Sequence, residues 1–185
     1  MKTLKEYLFE SESSVKQFLK ENYKGTFKIS SSPNKDGKYE VSSTGKVYLK
    51  NTDATALTNG EFIFTDCKWF VVEEAENLTT LEGFPQDVKE QAIVSYLNIT
   101  DLTGMPEKIS GSLKVSYCPN LVSLNGCPNT IDGMFECTGN KKLVGLEDGP
   151  TRVGEIYVDD NGKKFTKSYI TSLIKIDKPE FGRGY

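Results

Sequence analysis

The sequence contains no histidine, which removes the side chain most often used as a general base and as a metal ligand. It also lacks a G-x-S-x-G motif, a P-loop and a dinucleotide-binding glycine fingerprint. No apolar run approaches the roughly 18 residues that a membrane-spanning helix needs. The net charge of −3 provides no basic excess for nucleic acid. These absences disfavour an enzyme, a membrane protein and a nucleic-acid-binding protein, and we expect no cofactor and no metal.

Cysteine is also scarce, and its four residues form no C-x-x-C pair. We therefore expect free thiols in a reducing compartment at Cys67, Cys118, Cys127 and Cys137. Residues 159–162 read Asp-Asp-Asn-Gly, as in part of a calcium-binding loop, but the glutamate that closes such a loop is missing. We interpret this segment as a turn at the end of a strand.

What the sequence does contain is a pattern that returns every 21 or 22 residues. One unit, residues 77–85, reads Asn-Leu-Thr-Thr-Leu-Glu-Gly-Phe-Pro, and its spacing of leucine, glycine and proline recurs along the chain. The closing prolines are Pro85, Pro106, Pro128 and Pro150. A fixed period in this range is typical of a solenoid, in which each repeat buries its apolar residues against its neighbours.

The second half of each unit alternates apolar and other residues, which predicts a short strand with one buried face. The predicted inward pairs are Phe70/Val72, Ala92/Val94, Leu113/Val115, Phe135/Cys137 and Ile156/Val158. Two further buried positions follow, namely Leu78, Ile99, Leu121 and Leu143, and then Leu81, Leu102, Leu124 and Leu146. Before these two positions, three residues after the inward pair, Cys118 and Asn140 occupy the place where leucine-rich repeats use cysteine or asparagine. There a side chain can satisfy backbone groups left unpaired by the turn.

The predicted fold class is a mostly β repeat solenoid. In detail, we expect a right-handed, leucine-rich-repeat-like coil with short strands, a β-hairpin N-cap, a helical N-terminal segment and a helical C-cap. The chain divides into a helical segment, a linker with β cap, the repeats, and a C-terminal cap and tail, over residues 1–25, 26–67, 68–164 and 165–185.

Local patterns predict the individual elements of the two flanking parts. We expect two helices before the β cap, over residues 2–10 and 14–23. Three strands should follow, over residues 38–42, 46–50 and 61–66. After the repeats, residues 165–174 are predicted to form a helix, with a last strand starting around Ile174 and Ile176.

Residues 34–176 are similar to a family of short leucine-rich-repeat-like proteins of large tailed, T-even-like bacteriophages. The family's leading segment appears here as Asp36-Gly37-Lys38-Tyr39-Glu40-Val41 and Gly45-Lys46-Val47-Tyr48-Leu49. Its Leu-Thr-x-Leu-x-Gly-x-Pro repeat matches the units described above, whereas Ala54-Thr55-Ala56-Leu57 replaces its usual leucine-proline turn. The resemblance implies a solenoid fold and a phage origin, and it implies no particular activity.

The first ten residues, Met-Lys-Thr-Leu-Lys-Glu-Tyr-Leu-Phe-Glu, resemble the capsid-targeting peptide of internal head proteins in T-even-like phages. That peptide begins Met-Lys-Thr and ends in (Leu/Ile)-x-Glu, after which the prohead protease cuts. The resemblance implies that residues 1–10 are removed by cleavage between Glu10 and Ser11. The alternative is an ordinary amphipathic helix that packs on the solenoid.

The outward strand positions of such a solenoid line one continuous sheet face. Tyrosines and aliphatic residues beside charges are typical of a protein-binding surface. The predicted binding residues are Val71, Ile93, Tyr96, Lys114, Tyr117, Glu136, Tyr157 and Asp159. The alternative is that the N-terminal helices cover Val71 and Ile93 and that the rest is ordinary surface.

The leading functional hypothesis is a phage-encoded protein-binding module that acts as an accessory host-takeover or anti-defence factor. Its partner would be a host or defence-system protein, located in the host bacterial cytoplasm. Packaging in the virion head followed by injection is a further expectation. Two alternatives stay open: a structural or internal virion component without an inhibitory role and, more remotely, an enzyme or small-molecule binder. The sequence leaves the oligomeric state open.

Overall fold

The computed structural model describes residues 4–178, with side chains described from residue 11 onward. The side chains of the predicted targeting peptide, residues 1–10, therefore all lie outside the described part of the chain. The elements in chain order are α1 (Leu4–Asn22), β1 (Tyr23–Lys24), β2 (Lys28–Ile29), β3 (Tyr39–Leu49), β4 (Phe62–Glu73), β5 (Asp87–Ser95), β6 (Lys108–Ile109), β7 (Ser112–Ser116), β8 (Thr130–Thr138), β9 (Arg152–Asp159), α2 (Lys167–Leu173) and β10 (Lys175–Ile176). No helix within residues 4–178 combines the length and the apolar character needed to cross a membrane.

The strands stack in chain order into a parallel coil, as the repeat predicts. The main path of the sheet runs β1-β3-β4-β5-β7-β8-β9-β10, with β2 and β6 to the side. Every pairing from β3 to β10 along this path is parallel, whereas β1 and β2 pair antiparallel with β3. Each turn places its strand beside the strand of the preceding turn, which confirms the repeat solenoid.

The inward positions of successive strands form continuous rows through the core. Phe70 pairs with Ala92, Ala92 with Leu113, Leu113 with Phe135, and Phe135 with Ile156. All ten predicted inward residues are buried, as are the eight leucine and isoleucine positions that follow them. Isolated turns could not bury these side chains, so stacking supplies the hydrophobic stabilisation of the fold.

A buried asparagine links successive turns where the chain leaves the strand. Asn140 is fully buried; its Oδ1 accepts from the Cys118 backbone N–H at 3.0 Å and its Nδ2 donates to the Val115 carbonyl at 3.1 Å. Asn161 makes the equivalent pair of bonds one turn later, to the Asn140 N–H and the Cys137 carbonyl. The predicted role of Asn140 in satisfying turn backbone groups is confirmed.

The N-terminal cap differs from the prediction in three respects. A single helix, α1, replaces the two predicted helices, because the intervening residues 11–13 contain neither proline nor glycine. The two strands predicted over 38–42 and 46–50 are one strand, β3, whose pairing with β4 shifts register on either side of Ser43. This irregularity keeps both halves of β3 paired with β4 despite Gly45. The antiparallel cap is formed instead by β1 and β2 against β3.

Aromatic packing closes the first turn against α1. Val15 and Leu19 of α1 belong to the same core cluster as the inward residues of β3 and β4. The Phe18 ring lies 5.8 Å from the Phe62 ring, and the Tyr23 ring lies 5.3 Å from the Phe64 ring. These contacts cover the apolar end of the solenoid, which would otherwise face water.

The C-terminal cap agrees with the prediction. Thr166 caps α2, since its side-chain oxygen accepts from the Tyr169 N–H. Ile170 and Ile174 are buried on the last turn, and β10 then pairs in parallel with β9. The buried residues Phe165, Ile170 and Ile174 therefore cover the far end of the core, whereas Leu173 of the same segment is exposed.

Candidate functional site

Five of the predicted binding residues form one outward row across the sheet. Strand pairing aligns Val71, Ile93, Lys114, Glu136 and Tyr157 in successive turns. Lys114 and Glu136 form an ion pair at 2.7 Å. Val71 is only 4 % exposed, so it offers little surface to a partner, while the other four side chains are half-buried.

A second outward row lies two residues further along each strand. It contains Glu73, Ser95, Ser116, Thr138 and the predicted binding residue Asp159. The Ser95 hydroxyl donates to Glu73 at 2.7 Å, which ties neighbouring turns together. The middle of this row is buried, so its accessible chemistry is confined to the carboxylates at its two ends.

The next residue of each turn, which we call the corner row, has a positive φ. The row consists of Glu74 (57°), Tyr96 (54°), Tyr117 (53°), Gly139 (73°) and Asp160 (51°). The N–H groups of its first four members still bond to the following turn, as in Tyr96 N–H to the Ser116 carbonyl at 3.2 Å. Left-handed backbone is unfavourable for residues other than glycine, and such strain is concentrated at functional sites.

The two tyrosines of the corner row stack face to face. The Tyr96 and Tyr117 rings lie 5.2 Å apart with planes 11° from parallel, and they are 51 % and 44 % exposed. The Tyr117 ring also lies over Gly139, where an added Cβ would come within 2.5 Å of its Cε1 atom. The predicted Tyr157 lies on the outward row instead, so it is not part of this stack.

Two adjoining cavities run along the tyrosine stack, and we call them together the corner groove. Their volumes are about 480 Å³ and about 500 Å³, and both are lined by Glu76 and Tyr96. The first is also lined by Thr52, Asp53, Glu74 and Asn77. The second is also lined by Asn98, Tyr117, Pro119, Gly139, Lys141 and Lys142. The groove therefore crosses several turns at the carboxyl ends of the strands.

Charge changes sign along the corner groove. Asp53, Glu74 and Glu76 lie at the end nearer the N-terminus, whereas Lys141 and Lys142 lie at the other end. Lys142 donates to Asn120 at 2.7 Å, and Lys141 pairs with Asp160. An extended segment with a basic residue at one end and an acidic residue at the other would match this pattern.

Sequence reasoning found the two tyrosines but missed most of the groove. Glu76, Asn98, Pro119 and Lys141 each lie two residues beyond the corner row. The repeat period aligns these positions, so extending the outward rows past the strand end would have identified them. Asp53 comes from the turn before the first repeat, where no repeat signal was visible.

The cysteine thiols are poor candidates for chemistry. Burial raises the pKa of Cys67 and of Cys137 to about 12, and that of Cys118 to about 11. Burial also raises the pKa of Cys127 well above its usual value. The thiolate is the nucleophilic form of cysteine, so a raised pKa disfavours nucleophilic chemistry at these positions at neutral pH.

No family model matches this chain, and comparisons with curated proteins and with solved structures give no match either.

Proposed function

We propose that this chain is a protein-binding solenoid module that engages its partner through the corner groove and the outward row beside it. The observation that carries the proposal is the Tyr96–Tyr117 stack, which is half-exposed although both residues adopt strained backbone. Tyrosine combines a large apolar ring with a hydroxyl, and it is enriched among residues that dominate binding energy.

The form of the groove favours a protein segment over a small molecule. Its two cavities are joined side by side and extend across the turns. Small-molecule sites are instead concave pockets that bury most of the ligand and are lined mainly by apolar side chains with a few polar groups. Parallel strands lie about 4.8 Å apart, so the three steps from Glu74 to Lys141 span about 14 Å. That distance corresponds to about four residues of extended chain.

The resemblance of residues 34–176 to phage solenoid proteins supports a host or defence-system protein as the partner. The capsid-targeting pattern at residues 1–10 supports packaging in the virion head and injection into the host. In this proposal, the protein blocks or redirects its partner by occupying a surface.

Changing both Tyr96 and Tyr117 to alanine is expected to weaken partner binding at least 30-fold, because two stacked hot-spot rings are lost. Affinity purification from the native host with quantitative mass spectrometry would identify proteins retained by the wild type and lost by the double variant. The dissociation constant of the purified partner is then measured by calorimetry.

The matched control changes Val144 and Leu173 to alanine, since both are exposed apolar residues outside the corner groove. This variant should retain the partner fully. Equal retention of the partner by the tyrosine variant would contradict the choice of site.

Packaging predicts a specific mature N-terminus. Mass spectrometry of purified particles from the native source should find a chain that begins at Ser11, with residues 1–10 removed. A full-length chain in particles would contradict processing at Glu10, and a fixed copy number per particle would favour the structural virion role. Absence from particles would leave the groove proposal intact and remove the injection step.

A further inference from the structure

A second groove lies at the N-terminal end of the solenoid, between the end of α1 and strands β1 and β2. Its volume is about 630 Å³. The apolar residues that line it are Leu19, Tyr23, Phe27 and Ile29. We call it the N-terminal groove, and it shares no lining residue with the corner groove.

Lysines surround this apolar floor. Lys16, Lys20, Lys24 and Lys50 line the groove and are all exposed, and no acidic side chain of the described residues lines it. Of these four lysines, only Lys16 forms an ion pair with another described residue, Glu12 on the same helix, at 2.5 Å. Because the whole chain carries a net charge of −3, this concentration of positive charge is local.

The backbone beside the groove belongs to an open sheet edge. Within residues 4–178, β1 and β2 pair only with β3. Each has two residues, so the outer side of this edge is short and unoccupied by another described strand. An extended segment of another chain can add to such an edge through main-chain hydrogen bonds while its side chains enter an adjacent pocket.

We propose that the N-terminal groove binds an acidic, extended segment of a partner protein that inserts an aromatic or aliphatic side chain over Phe27 and Ile29, the two half-buried apolar residues of the floor. Charge complementarity selects the acidic residues, because an anionic segment meets the four lysines on the rim. This goes beyond the corner groove, since the same molecule would hold two protein segments at once.

The aromatic residues of the floor argue against single-stranded nucleic acid as the occupant. Tyr23 packs edge-on against Phe27 and Phe64, with ring centres 6.2 Å and 5.3 Å apart. Its hydroxyl donates to the Leu57 carbonyl at 2.7 Å. Bases bind to free ring faces, whereas this buried ring is already held by its neighbours.

The experiment is a selection from a random twelve-residue peptide display library on the immobilised full-length protein. The expected consensus has two or more acidic residues around an aromatic or aliphatic residue. A fluorescein-labelled consensus peptide is then titrated and followed by anisotropy. Changing Lys20, Lys24 and Lys50 together to glutamate should weaken its binding at least 30-fold, and Ile29→Thr should weaken it about 5-fold.

The matched control changes Lys35, Lys163 and Lys164 to glutamate, which alters the net charge equally at exposed sites outside the groove. It should bind the peptide as the wild type does, and thermal unfolding verifies that all variants are folded. The Tyr96 and Tyr117 double variant should also bind normally, which separates this proposal from the corner groove.

Three results would overturn the proposal. One is a selection without acidic enrichment, and another is equal binding by the charge-reversed groove variant. The third is binding of phosphatidylglycerol vesicles or of an oligothymidine strand that depends on Lys20, Lys24 and Lys50 and that the consensus peptide does not displace.

Discussion

Replacing Asn140 with alanine is expected to lower the free energy of unfolding by about 2–4 kcal/mol. The substitution removes the side-chain partner of the Cys118 N–H and one hydrogen bond to the carbonyl of Val115, a residue that also pairs with both neighbouring strands. A buried N–H without a partner costs about 1–3 kcal/mol, and the loss of the second hydrogen bond costs about 1 kcal/mol more. Water cannot readily replace the side chain, because Asn140 is fully buried between two turns.

Asn161→Ala provides the matched control for this prediction. Asn161 makes the same two kinds of bond one turn later, but it is half-buried near the end of the coil. Because the Asn161 side chain is itself partly accessible, water can enter the vacated position and replace its two bonds, and a loss of about 1 kcal/mol is expected. Urea unfolding followed by circular dichroism measures both variants. Equal losses would show that burial of the asparagine position does not set the cost.

Gly104→Ala is expected to destabilise the protein by about 3–5 kcal/mol, through two additive effects. Gly104 has a φ of 103°, which costs an alanine about 1–2 kcal/mol. A methyl group there would also overlap the Glu82 nitrogen and lie 2.7 Å from the Leu81 carbonyl oxygen. The clash is with the backbone of the preceding turn, so relieving it requires the two turns to separate.

Gly60→Ala separates these two effects. Gly60 also has a positive φ, 84°, but a methyl group at this position would meet no atom within 4 Å. Its cost should therefore be limited to about 1–2 kcal/mol from the backbone conformation. Comparing the urea midpoints of the two variants measures the contribution of close stacking between turns. A Gly104 variant as stable as the Gly60 variant would contradict the close approach.

The repeats were predicted correctly because their signal is regular and local. Positions such as Phe70, Leu78 and Leu81 are apolar in every turn, so the same pattern appears several times. The period also predicted that the Asn140 side chain bonds to backbone groups of the turn, as it does to the Cys118 N–H. Repetition reduces the ambiguity that a single short apolar run would leave.

The N-terminal cap was less predictable because it occurs once. Separate elements were predicted on either side of residues 11–13 and of residues 43–45, yet α1 and β3 each continue through these residues. Pairing with β4 holds β3 together across Gly45. Such tertiary contacts outweigh local propensity, which differs by only about 1 kcal/mol between alternatives.

The candidate sites were likewise predictable only in part. Tyr96 and Tyr117 could be chosen from their strand positions, but their stacking depends on the corner backbone and on the missing Cβ of Gly139. The N-terminal groove was not anticipated, because α1, β1 and β2 form its walls only after they pack against β3.

The sequence by itself determined the solenoid, its period and its inward residues, because burial of apolar side chains follows directly from their spacing. Only the tertiary structure decided which polar residues line the same cavity, such as Asp53 and Glu76, or Tyr96 and Lys142. These residues come from different turns, and their encounter depends on the stacking register and on backbone conformation at the corners. Neither is encoded in the pattern of any one repeat.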